Sequence, residues 1–145
     1  MKINSLYLMG SLRNPKVPEL ANKIEDVTGI EVFDSWHAPG PEADDHWRAY
    51  EKARGRTYEQ ALRHHAARNV FEFDKHNIDK SDGCILYMPA GKSAHMELGY
   101  VIGTGKPGFI LFDEEPERWD VMYQFATRLF FNVDDFLITL GREYR

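Results

Sequence analysis

Cysteine is nearly absent from this chain: Cys84 stands alone among 145 residues. One thiol excludes an internal disulfide and any zinc site built on paired cysteines, and it fits a reducing compartment. Long apolar runs are missing as well. None approaches the roughly 20 residues of a membrane-spanning helix, and the stretch Leu6, Tyr7, Leu8, Met9 is too short for a signal peptide. A cytoplasmic protein with no membrane partner is expected. Positive charge is not in excess. The net charge of −5 disfavours nucleic-acid polymers, although a local pocket can still bind a small anion. No two of the six histidines have the helical spacing of a zinc motif, so neither a metal nor another cofactor is expected. Repeats, low-complexity tracts and linkers are lacking, which predicts a single domain over residues 1–145.

What is present centres on residues 83–105, GCILYMPAGKSAHMELGYVIGTG. Cys84-Ile85-Leu86-Tyr87-Met88 is a continuous apolar run, the pattern of a strand covered on both faces. Cys84 within it reads as a small buried hydrophobe, not a nucleophile. Pro89-Ala90-Gly91 breaks the strand, and Ser93 is the expected N-cap of a helix over about 94–102. Gly99 and Gly103, four apart, suggest that this helix lies close to the sheet. Gly103, Gly105 and Pro107 close it and lead to a further strand, Phe109-Ile110-Leu111-Phe112.

The rest of the chain alternates in the same way. A strand is expected over 3–9, then a turn at 10–15 and a helix with Val17, Leu20, Ala21, Ile24 and Val27 on one face. A second strand covers 30–33. Residues 42–68 are strongly charged and read as two helices broken at Gly55, an excursion from the sheet at about 35–68 that serves as a lid, a subunit contact or a solvated hairpin. A helix over 66–80 carries Val70, Phe71, Phe73 and Ile78. Pro116 and Glu117 open another with Trp119, Met122, Phe125 and Leu129. A fifth strand (130–133) and a last helix (134–140) follow. This alternation predicts an α/β fold: a doubly wound, mostly parallel five-stranded sheet of flavodoxin/Rossmann-like type, with a charged helical insertion after the second strand.

In such sheets ligands bind where strands end and helices begin. Three clusters meet there. Tyr7 with Gly10, Ser11 and Arg13 offers backbone amides, a hydroxyl and a guanidinium, a set suited to an oxyanion. Asp74 and Asp82 flank the approach to the central strand. Gly91, Lys92, Ser93, His95 and Glu97 occupy its exit. A triphosphate-wrapping loop is not expected, because Leu86 stands where that loop needs its first glycine.

Tyr7-x-x-Gly10-Ser11-x-Arg13, Asp74 followed by Ser81-Asp82, and Glu97-Leu98-Gly99 followed by Gly105-Lys106-Pro107 together resemble the nucleoside 2-deoxyribosyltransferase family, including its relatives that hydrolyse nucleoside 5'-monophosphates. The resemblance covers most of the chain outside the excursion. It implies cleavage of the N-glycosidic bond of a nucleoside or nucleotide through a covalent glycosyl-Glu97 intermediate, with the sugar passed to another base or to water. Asp74 would serve the leaving base as proton donor or orienter, and Tyr7 would hold the nucleophile's carboxylate. Gly10, Ser11, Arg13, Gly91, Lys92, Ser93 and His95 would bind substrate. The acidic residue that nucleoside-specific members carry six positions before the nucleophile is Gly91 here. Lys92 and Ser93 beside it favour a phosphate. Trp36 and Trp47 are candidates for stacking on the base. Family members are dimers or larger, and the aromatic segment 119–136 is a candidate surface for this. The alternative, from another functional class, is a non-catalytic nucleotide-sensing module on the same fold.

Overall fold

A computed structural model describes all 145 residues. Five strands, β1 (Ser5–Met9), β2 (Glu31–Phe33), β3 (Gly83–Met88), β4 (Gly108–Phe112) and β5 (Arg128–Phe130), form one all-parallel sheet in the order β2-β1-β3-β4-β5. The helices are α1 (Val17–Thr28), α2 (Ala43–Lys52), α3 (Tyr58–Leu62), α4 (His65–Lys80), α5 (Lys92–Gly103) and α6 (Val133–Thr139). The fold is the flavodoxin/Rossmann-like α/β architecture expected from the alternation. No helix is long and apolar enough to cross a membrane.

Strand periodicity assigns the two layers. Leu6, Leu8, Ile85 and Tyr87 pack with α1 and α6 through Val17, Leu20, Ile24, Phe136 and Leu137. The alternate residues Tyr7, Met9, Cys84 and Leu86 pack with α4 and α5 through Ile78, Ala94, Leu98 and Val101. This is the period-two rule of strands applied to a sheet covered on both faces. The chain leaves β1 toward β2 and later returns to β3 on the other side of β1. The C-terminal ends of β1 and β3 therefore flank the topological switch point, where α/β sheets open a crevice.

Several expectations needed correction. The helix over 116–129 does not form. Its middle is a 3-10 turn, Val121–Phe125, in which Asp120 accepts a hydrogen bond from the Met122 amide, and Leu129 belongs to β5. Thr127 is fixed to the head of β4: its amide donates to the Gly108 carbonyl, and its hydroxyl accepts from the Gly108 amide. Such local side-chain bonds compete with a helical ladder, and they start the fifth strand at Arg128 instead of Phe130.

Helix α5 begins at Lys92 with Gly91 as its N-cap, and Ser93 makes no capping bond. Gly99 and Gly103 have open space where a Cβ would sit, so they do not mediate the close approach to the sheet. That approach is made by Gly108 of β4, where a Cβ would come within 2.8 Å of Ile102 and 3.0 Å of Leu98. Val27, Val70, Phe71 and Phe73 are exposed although the helical pattern placed them on apolar faces.

The excursion after β2 is helical and broken at Gly55 (φ +72°), as expected. It has its own fastenings. A capping box joins Thr57 and Gln60, the buried Glu51 pairs with Arg56 at 2.9 Å, and Trp47 packs edge-on to Tyr58.

The two glycine environments predict opposite substitution effects. Gly108→Ala must push Ile102 and Leu98 aside and is expected to lower unfolding stability by about 1–3 kcal/mol. Gly99→Ala, on an open helical surface, is expected to raise it by about 0.5–1 kcal/mol. Urea denaturation of both variants checks the pair.

Candidate active site

Three of the sequence-predicted residues converge between α4, α5 and the end of β1. Tyr7 is the third residue of β1 and points to the α4/α5 layer, where its ring stacks on Phe33 at 5.2 Å. Its hydroxyl donates to Oε2 of Glu97 at 3.5 Å. Glu97 is in the second turn of α5, flanked by the buried Ala94, Leu98 and Val101 that hold the helix on the sheet. Asp74 comes from α4. Its inward direction is set by Ile78 one turn later, which is buried, and by Phe73, whose ring meets Phe33 at 5.9 Å. The Asn77 side chain donates to the Phe73 carbonyl at 2.9 Å and steadies the same turn.

Electrostatics follow from this placement. Burial pushes the Glu97 carboxyl up from 4.5 to about 7; the charge of Asp74 adds to the rise, and the Tyr7 hydroxyl opposes it. Burial also raises Asp74 above the ordinary carboxylate range. The Tyr7 phenol is raised by burial and by both carboxylates, so it stays protonated and acts as a donor. Cys84, on β3 under the same layer, is raised by burial and by Glu97 and remains a thiol. The result is a pair of desolvated carboxyl groups of which one readily retains a proton near neutrality, beside a fixed phenolic donor.

The predicted binding residues line the same edge of the sheet. The turn after β1 holds Gly10, Ser11 and Arg13, with the Ser11 hydroxyl accepting from the Arg13 amide at 3.1 Å and the Arg13 side chain exposed. The turn after the adjacent β3 holds Gly91, Lys92 and Ser93, all exposed. His95 does not join them. Its Nδ1–H donates to the Gly91 carbonyl at 2.6 Å, which leaves Nε2 to accept from the Tyr123 hydroxyl at 3.0 Å, so the imidazole faces the 113–127 segment. Neither tryptophan is a free stacking platform. Trp36 donates to the Leu8 carbonyl, and Trp47 is packed against Tyr58 within the excursion. Phe33, which carries the contact between Tyr7 and α4, belongs to no motif that marks it in the sequence.

Two motif elements serve the opposite edge. Asp82 accepts from the amides of Asn4 and Ser5 at 2.7 and 3.1 Å, tying the start of β1 to β3. Lys106 donates to the carbonyls of Asp79 and Ser81 at the end of α4. No three His, Cys, Asp or Glu side chains converge as metal ligands. Two surface clefts, one beside β5 and α6 and one around Gly105–Pro107 and Tyr144, contain none of the predicted residues. Both are open hollows without converging carboxylates, so the candidate site rests on the side-chain cluster.

No family model matches the chain, and no curated protein matches it. Among solved structures, a conserved protein from Enterococcus faecalis V583 superposes with a TM-score of 0.62 at 10% identity, over 94% of this chain and 96% of that one. The likeness is one of fold.

The raised Glu97 carboxyl has a consequence for stability. Its folded value of about 7 lies above the unfolded 4.5, so the folded state favours the proton and loses stability as pH rises through that window. Glu97→Gln removes the burdened charge. It is expected to stabilise the protein at pH 8 by up to about 3 kcal/mol and to have little effect at pH 4.5. Thermal unfolding of both proteins across this range measures the difference.

Proposed function

We propose that this protein cleaves the N-glycosidic bond of a nucleoside or nucleoside 5'-monophosphate with retention, as a member of the nucleoside 2-deoxyribosyltransferase type. The observation that carries the reading is the convergence of Tyr7, Asp74 and Glu97 at the switch-point edge of the sheet, with Glu97 desolvated against the phenol.

In the first step a Glu97 carboxylate oxygen bonds to the anomeric carbon while the bond from that carbon to the base nitrogen breaks. The departing electron pair is taken up by the base, which receives a proton from Asp74. The transition state resembles an oxocarbenium ion, which a carboxylate both stabilises and captures. In the second step water or another base attacks the anomeric carbon, the ester bond to Glu97 breaks, and the incoming group gives its proton to Asp74. Burial raises Asp74 in the direction a proton donor requires. The phenol of Tyr7 orients the Glu97 carboxylate. The turns at Gly10, Ser11 and Arg13 and at Gly91, Lys92 and Ser93 present amides, hydroxyls and cations to a 5'-phosphate, and the reading commits to neither the base nor the final acceptor.

The same reading includes a homo-oligomer in a reducing, cytoplasmic setting. Its support is the outer face of α4 and α5. The Tyr100 hydroxyl donates to Asp79 at 2.6 Å, which sets the two helices in register. Two turns back along α4 and one along α5, Phe71 (65% exposed) and Met96 (76% exposed) present large apolar side chains to solvent just outside the carboxylate cluster. Phe71→Asp combined with Met96→Asp is expected to convert the protein to monomers in sedimentation velocity. An unchanged assembly, or a monomeric wild type, rejects this surface.

Turnover is tested on a panel of nucleosides and their 5'-monophosphates, with and without an acceptor base, by chromatography of released base. Wild type is expected to turn over at least one of them and Glu97→Ala to lose at least about 1000-fold. Because Glu97 must be ionised while Asp74 still holds its proton, the active form carries one proton in the carboxyl pair, and kcat/KM is expected to pass through a maximum and to fall as pH rises above about 7. A folded protein that binds nucleotides without turnover would instead be the sensing module.

A further inference from the structure

Strand β2 is three residues long, and its early end leaves work for the residues that follow. The β1–β2 ladder starts with the Glu31 amide donating to the Asn4 carbonyl. Alternation in a parallel pair brings every second β1 carbonyl to β2, so the Leu8 carbonyl is due a donor from residue 35. The chain has turned away by then, into the 3-10 turn Ser35–His37. The indole Nε1–H of Trp36 donates to Leu8 in its place at 2.6 Å. Without it a carbonyl at the buried end of β1 has no partner.

The same turn grips the segment that follows β1. Nε2 of His37 lies 2.8 Å from the Asn14 carbonyl; a carbonyl only accepts, so the imidazole donates. Trp36 packs against both core layers and backs Gly10, where an added Cβ would lie 3.3 Å from Val17, 3.5 Å from the Tyr87 carbonyl and 3.7 Å from the indole. Across the turn, Lys16 lies 3.8 Å from Asp113, which accepts from the Tyr87 hydroxyl. Residues 10–16 are thus held from the β2 side by the His37 donor on Asn14 and by the indole behind Gly10, itself anchored on Leu8, and from the β4 side by an ion pair.

We propose that Trp36 and His37 are positioning residues for the turn at Gly10, Ser11 and Arg13, holding it in the shape that receives a sugar 5'-phosphate. The inference rests on the substrate class given above, though not on catalysis. A turn already fixed before the anion arrives avoids the ordering cost that a mobile loop pays on binding. Trp36 and His37 act through Leu8 and Asn14 and do not touch the substrate.

Ribose 5-phosphate is the probe, titrated calorimetrically into wild type, Trp36→Phe, His37→Ala and His37→Gln. The phenylalanine keeps an aromatic ring without the N–H, and the glutamine can still donate. Affinity is expected to fall roughly fivefold or more in Trp36→Phe and His37→Ala and to recover in His37→Gln, with kcat on any turned-over substrate unchanged within about twofold. Circular dichroism confirms that each variant is folded. Unchanged affinity in Trp36→Phe and His37→Ala overturns the proposal, as do a loss confined to kcat and a folded wild type that does not bind ribose 5-phosphate. The expected affinity pattern in a protein without turnover leaves this inference standing and removes the catalytic reading alone.

Discussion

Glu97 is partly withdrawn from water in the seam between α4 and α5, and much of the remaining structure bears on that one carboxyl. Strand residues from β1, β3 and β4 supply the apolar floor of the seam. It is narrow because Gly108 lets Ile102 and Leu98 settle onto β4. Tyr7 and Asp74 bring polar groups to the carboxyl within it. Removing any one of these alters the solvent around the carboxyl and with it the proton affinity on which its chemistry depends. The folded protein carries a local cost at this point, and proteins commonly hold such costs where they act.

The two edges of the sheet divide the labour. At the N-terminal edge, Asp82 and Lys106 bind backbone amides and carbonyls, so their part is to align β1 with β3 and to finish α4. At the C-terminal edge the side chains point toward one another or into solvent. A short motif can therefore contain residues of both kinds. Ser81-Asp82 and Gly105-Lys106-Pro107 belong to the architecture, while Tyr7 and Glu97 belong to the crevice. The alignment made at the first edge determines whether the groups at the second can meet.

The sheet was legible because buried strands are written as apolar runs, and five of them alternate with helical segments along the chain. The meeting of Tyr7, Asp74 and Glu97 came from the resemblance, since no local pattern relates residues 7, 74 and 97. The errors share a cause: they depend on what a residue faces across space. Gly99 and Gly103 carry the spacing of a close contact, but the contact is made by the strand glycine opposite. Trp119, Met122 and Phe125 repeat at helical intervals, yet Asp120 and Thr127 commit the backbone to turns. His95 stands in a glycine-flanked helix start, and its ring is turned by the Gly91 carbonyl together with Tyr123, 28 residues later. Trp36 was visible as an aromatic near the site, whereas its role follows from the length of β2.

The α2–α3 excursion brings its own ion pair, its own capping box and its own aromatic contact, and it inserts between β2 and α4 without interrupting a strand. A unit fastened in this way is modular. It can be lengthened, shortened or exchanged while the register of β1 with β3, and hence the meeting of Tyr7 with Glu97, is left alone. Its length and sequence can then change separately from the groups that meet in the crevice, and a designer can graft a different hairpin between Gly40 and His64 on the same terms.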